Sequence, residues 1–80
     1  MKKIKFIGLP YDLKKKYNIN TTNLENWSGY FLFDDDTIEQ CDIYEFGGYI
    51  IQNNLYFMWG HEEVRVYNEN AELLQSKHTR

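Results

Sequence analysis

Asn53-Asn54, set between Tyr49-Ile50-Ile51-Gln52 and Leu55-Tyr56-Phe57-Met58-Trp59, constrains this chain more than any other feature. Both asparagines tolerate positive φ, as the type I′ turn of a two-residue hairpin requires. Such a turn fixes the register: Gln52 faces Leu55, Ile51 faces Tyr56, Ile50 faces Phe57 and Tyr49 faces Met58. One face then carries Ile50, Leu55, Phe57 and Trp59, and the other carries Tyr49, Ile51, Tyr56 and Met58. Neither is polar, whereas an ordinary antiparallel sheet keeps one wet side. The hairpin is therefore covered on both sides by its own chain or offers its Tyr/Met face to a partner. An isologous homodimer through Tyr49, Tyr56 and Met58 is the simplest closed arrangement.

The flanking segments extend a β-rich pattern. Ile4 and Phe6 alternate with lysines in Lys3-Ile4-Lys5-Phe6-Ile7, a half-buried strand whose charges suit a sheet edge. Pro10 stands where a helix begins, Asp12 falls in its first turn, and Leu9, Leu13 and Tyr17 recur every fourth residue, so a short helix over 11–17 is expected to dock on the sheet. Thr22 and Glu25 have capping-box spacing, which predicts one helical turn turning Leu24 and Trp27 inward before Gly29. Gly29 to Phe33 reads as a strand, and Asp34-Asp35-Asp36-Thr37 as a hairpin turn with an aspartate in the left-handed position. Residues 38–46 fit either a bulged strand or a capped helix, the strand being favoured by its neighbours. Val64-Arg65-Val66-Tyr67 alternates, with the valines expected inward and Arg65 and Tyr67 outward. Ala71 to Gln75 is read as a final strand, with a terminal helix as the alternative, and residues 76–80 as a frayed tail. The expected fold is α+β, mainly β: a small antiparallel sheet of about five strands with one short N-terminal helix packed on it.

Eighty residues make a single domain, and one of this size buries only about 60% of its unfolded surface, so its core is small. Apolar residues at 42% and aromatics at 18% argue for a folded chain. The longest apolar runs are four or five residues, far short of the roughly 20 a membrane span needs. The apolar stretch after Met1-Lys2-Lys3 is too short for a signal peptide, which places the protein in the cytoplasm and leaves its two glycosylation sequons without meaning. A single cysteine, Cys41, forms no internal disulfide, as suits a reducing compartment. Residues with A/T-rich codons greatly outnumber those with G/C-rich codons, a composition common in bacteria, phages and mobile elements.

Motifs for catalysis or cofactors are lacking. A calcium loop started at Asp34 fails, with Ile38 in its fifth position and Glu39 where glycine is needed. His61-Glu62-Glu63 has no second histidine or cysteine at zinc spacing, and Gly47-Gly48 is a turn and not a phosphate loop. Cys41 reads as a small core residue. No metal, no cofactor and no enzymatic activity are expected.

Charge is laid out unevenly. Residues 1–16 hold six lysines and one acid, whereas residues 17–63 hold nine acids and neither lysine nor arginine. That body repels phosphate and argues against direct nucleic-acid binding, but it suits a protein partner with a basic surface. The rival possibility is that the N-terminal lysines fold over the acids and neutralise them. The leading expectation is an acidic inhibitor, immunity or anti-defence protein that meets a basic enzyme through Asp34, Asp35, Asp36, Glu39, Asp42 and Glu45, with Tyr49 and Tyr56. The alternative is a binder of a nucleotide-like ligand, stacked among Trp27, Tyr30, Tyr49, Tyr56 and Trp59 and anchored by Arg65 and Tyr67. A third reading is a structural subunit of a larger assembly.

Overall fold

The computed structural model describes residues 2–78 and arranges them as two antiparallel sheets and one helix. Strands β1 (Ile4–Gly8), β2 (Tyr30–Phe33) and β3 (Ile38–Gln40) form one sheet with β2 in the middle. Strands β4 (Gly48–Gln52), β5 (Leu55–Gly60), β6 (Glu63–Asn68) and β7 (Leu73–His78) form a four-stranded meander, and helix α1 (Pro10–Tyr17) follows β1. The fold is α+β and mainly β, as expected, but its strands are more numerous and divided between two sheets.

The Asn53-Asn54 hairpin has the register its turn dictates, with Tyr49 opposite Met58 and Gln52 opposite Leu55. Both asparagines are left-handed, at φ 53° and 64°. Asp36, at φ 67°, takes the same conformation in the β2–β3 turn. That turn is closed by the Phe33 N–H donating to the Thr37 carbonyl at 2.9 Å.

Three layers result. The continuous apolar run Tyr30-Phe31-Leu32-Phe33 is buried on both faces because β2 lies in the middle layer. Phe31 and Phe33 face the second sheet, in a core with Ile4, Ile7, Cys41, Ile43, Met58 and Tyr67. Tyr30 and Leu32 face the other way, where Leu13 of α1 is fully buried against them beside Phe6 and Leu24. A register shift between Ile4 and Phe6 lets Ile4 and Ile7 share the inner face while Phe6 turns toward the helix, its ring 5.1 Å from that of Tyr17. The simple alternation of Ile4 with Phe6 is thus replaced by a bulge.

Four local expectations are corrected. The Thr22–Glu25 capping box does not form. Asn20 Oδ1 accepts from the Thr22 N–H and hydroxyl instead, and the Glu25 carboxylate accepts from Ser28 and Gln40. Without that helical turn Trp27 stays 70% exposed. Residues beyond Gln40 leave the strand: Asp42 and Glu45 are left-handed at φ 55° and 49°, which drops both Cys41 and Ile43 into the core. On β6 the faces are inverted. The two-residue turn His61-Glu62 sets Gly60 opposite Glu63, so Val64 pairs with Trp59 and Val66 with Phe57 on the outer face, while Arg65 and Tyr67 point inward beside Met58 and Tyr56. The final strand forms and runs on to His78 through residues expected to fray, with residues 79 and 80 lying outside the described ones.

The face of Tyr49, Tyr56 and Met58 is the inner one. Met58 is fully buried and both tyrosines pack against the core, so this face is largely covered by the chain's own first sheet, with Ile51 left 54% exposed at its end.

Candidate cleft between the two sheets

The open side of the sandwich, between β3 and the β6–β7 hairpin, holds a cleft of about 480 Å³. Phe31, Tyr67, Ala71 and Leu73 give it an apolar lining, and Glu39, Gln40, Asp42 and Arg65 supply its polar groups. Two independent features of the sequence bring them together. The turn at His61-Glu62 sends Arg65 inward, and the left-handed Asp42 ends the run of β3 so that the Cys41 carbonyl faces β6.

Arg65 is fixed at three points. Its Nε donates to Glu63 Oε1 at 2.5 Å, and its Nη1 donates to the Cys41 carbonyl at 2.8 Å and to the Tyr67 hydroxyl at 3.1 Å. Tyr67 in turn donates to the same carbonyl at 3.2 Å. Burial opposes the guanidinium's charge, but its hydrogen bonds to Tyr67 and Glu63 outweigh that and hold it above the usual arginine range. Burial also raises the Tyr67 hydroxyl, against a lowering by Arg65. With side chains only 20% and 16% exposed, Arg65 and Glu63 form a partly buried pair that links the second sheet to the segment after β3. Among the described residues Nη2 has no hydrogen-bond partner.

The acidic residues divide. Asp34, Asp35 and Asp36 sit in the β2–β3 turn beside the edge strand β1, and there the N-terminal lysines meet them. The Lys3 backbone N–H donates to Asp34 Oδ1 at 3.1 Å, Lys5 pairs with Asp36, and Lys2 donates to Thr37. Asp35 accepts from the Thr37 hydroxyl and N–H, which hold its carboxyl below the usual range. Glu45 lies 3.6 Å from His61. Glu39 and Asp42 differ: both are exposed at the cleft, and neither has an ion-pair partner among the described residues.

The aromatic set does not converge on one pocket. Trp27 is exposed on its loop, and Tyr30 is buried on the helix side, its hydroxyl accepting from the Glu25 N–H at 2.8 Å. Tyr49 and Tyr56 line the core, and Trp59 lies on the outer face across Gly47 and Gly48, where a Cβ would come within 2.8 and 2.7 Å of its ring. Of that set Arg65 and Tyr67 meet in the cleft with Glu39 and Asp42, while Tyr49 and Tyr56 meet elsewhere, in a small hollow of about 40 Å³ beside Ile4 and Lys5. Glu63, which holds Arg65, and the cleft members Phe31, Gln40, Cys41, Ala71 and Leu73 were not legible in the sequence. Counting two residues at His61-Glu62 would have exposed the first, because it turns the face shared by Glu63 and Arg65 inward, opposite Gly60 and Met58.

The outer face of the second sheet is apolar and uncovered over β4, β5 and β6, with Gln75 and Lys77 on its β7 edge. Ile50 is 57% and Trp59 39% exposed, with Phe57, Val64 and Val66 half-buried between them. Among the described residues no helix is long and apolar enough to cross a membrane, and no group of histidine, cysteine and acidic side chains is placed to hold a metal ion. No family model matches the chain, and comparisons with curated proteins and with solved structures find no match.

Proposed function

We propose that this protein is a small binding module of the inhibitor, immunity or anti-defence kind, from a phage or mobile element, and not an enzyme. It captures a lysine- or arginine-bearing segment of a basic partner at the cleft between its sheets. One observation carries the reading: Glu39 and Asp42 stand exposed at a cleft that also offers the apolar side chains of Ala71 and Leu73, without an ion-pair partner among the described residues, in a 17–63 stretch that lacks lysine and arginine. A long basic side chain suits such a place, its stem lying on Leu73 and Ala71 and its head reaching the carboxylates. The Asp34 to Asp36 turn is demoted, because Lys5 of β1 pairs with Asp36 and Lys2 lowers the charge cost at Asp35. A nucleotide-like ligand is disfavoured by the scattered aromatics and by acids beside the one inward arginine. The test is titration of the protein with a tetra-arginine peptide. Amide shifts should centre on residues 39–42 and 71–73, and affinity should fall as the Debye length shortens from about 30 Å at 0.01 M salt to about 8 Å at 0.15 M. Shifts centred on the β2–β3 turn would remove the reading.

A second reading, self-association, moves to the outer face, since Ile50, Phe57, Trp59, Val64 and Val66 remain uncovered there. Three strands about 4.8 Å apart and about 20 Å long give an apolar footprint of about 300 Å², less than half of the roughly 800 Å² per partner of a standard interface, so such a dimer is weak. Light scattering at micromolar to millimolar concentration tests it, and a strict monomer throughout rules it out.

A further inference from the structure

We infer that the cleft is built for a basic residue that also carries a free carboxylate, the C-terminal arginine or lysine of a peptide chain. The inference rests on the basic-segment reading and narrows it. Arg65 is the reason. Its guanidinium is locked from one side by Glu63, the Cys41 carbonyl and Tyr67, so its orientation is set before any ligand arrives. Nη2 has no partner among the described residues, and Arg65 lines the cleft. A planar guanidinium with one amino group left over is suited to a carboxylate oxygen.

The opposing charges select the ligand. A phosphate or other multiply charged anion would meet Glu39 and Asp42 as well as Arg65, and Glu63 already offsets most of the arginine's charge. A purely cationic ligand would satisfy the carboxylates but stand beside the Arg65 guanidinium, which lines the same cleft. A residue with a cation at one end and a carboxylate at the other complements both walls, while its methylenes lie on the apolar lining formed by Ala71 and Leu73. At about 480 Å³ the cleft falls near the lower end of small-ligand sites, which run from about 300 to 1,000 Å³, so it suits one residue and not a folded element.

The test is an amide-resolved NMR titration of the full chain with three probes. Nα-acetyl-L-arginine carries both charges, Nα-acetyl-L-argininamide lacks the carboxylate, and Nα-acetyl-L-norleucine lacks the cation. The first should give saturable shifts at Glu39, Asp42, Arg65 and Leu73, and each of the others should bind about tenfold or more weakly, as loss of a charge-assisted hydrogen bond implies. Removing the carboxylate from the probe avoids changing Arg65, which also ties the sheets together. As a second arm, Glu39→Gln with Asp42→Asn should weaken acetylarginine and, by removing two negative charges beside the carboxylate, leave acetylnorleucine no weaker. Equal affinity for acetylarginine and argininamide would overturn the carboxylate site and leave the basic-segment reading standing. Equal affinity for norleucine, or no saturable shift at the cleft with either arginine probe, would overturn both.

Discussion

Phe33 and Phe57 are both apolar strand residues, yet their burial sets them apart. Phe33 is fully buried between the sheets, so Phe33→Ala should cost about 3 to 5 kcal/mol in urea denaturation. Phe57 lies half-buried on the outer face, and its truncation should cost clearly less. An equal loss at the two positions would mean that the outer face is covered in solution. Cys41 makes a sharper case. Its thiol is buried, and burial pushes its pKa from 9.0 to about 11. The folded state therefore favours the neutral thiol. That contribution is complete below about pH 9 and fades as pH rises through about 11. Tyr56 and Tyr67, both raised chiefly by burial, act in the same direction. Denaturation midpoints should accordingly hold up to about pH 9 and fall beyond it, and Ellman's reagent should label Cys41 far faster in urea than in the native protein. Cys41→Ala should be tolerated better than Cys41→Ser, whose buried hydroxyl costs about 1 to 3 kcal/mol if it finds no partner.

Turns govern this fold at the level of its elements, and most do so without glycine. All eight left-handed residues among those described, including Asn53, Asn54, Asp36 and Glu62, are non-glycine, and no glycine has positive φ. Asn54→Val should therefore cost about 1 to 2 kcal/mol, since a branched side chain resists φ 64°, while Asn54→Gly should be near neutral. Gly60 is needed for a different reason. A Cβ there would lie 2.0 Å from Ile43 Cγ2 and 2.6 Å from the Tyr44 carbonyl, so Gly60→Ala should lose about 1 to 3 kcal/mol by overpacking. Thermal unfolding followed by circular dichroism checks both. The same distinction decides what could be read in advance. The hairpin register and the helix over 11–17 were legible because turn chemistry and capping are local. Which face of β6 turns inward was not legible from alternation alone, because Val64-Val66 and Arg65-Tyr67 each make a plausible inner pair and only the turn count decides. Residues 41–46 gave no clean period because Asp42 and Glu45 reverse the backbone within five residues of β3.

Over the whole molecule, the charge asymmetry survives folding but is redistributed. The antiparallel pairing of β1 with β2 brings Lys5 to Asp36 and the Lys3 backbone N–H to Asp34, so the densest run of acids in the sequence is partly neutralised, while the Lys3 ammonium pairs with Glu69. That pairing depends on which strands become neighbours, and sequence charge counts do not show it. Glu39 and Asp42 have no ion-pair partner among the described residues and keep their field, which favours them as the recognition point of the proposed function. The most direct measurement compares two double charge reversals that change net charge equally: Glu39→Lys with Asp42→Lys, and Asp35→Lys with Asp36→Lys. Each variant, once shown by circular dichroism to be folded, is titrated with tetra-arginine at low salt. The cleft pair should lose at least about tenfold in affinity, equivalent to about 1.4 kcal/mol, and the turn pair much less. Equal losses would show a diffuse electrostatic attraction with no site, and a larger loss from the turn pair would contradict the account.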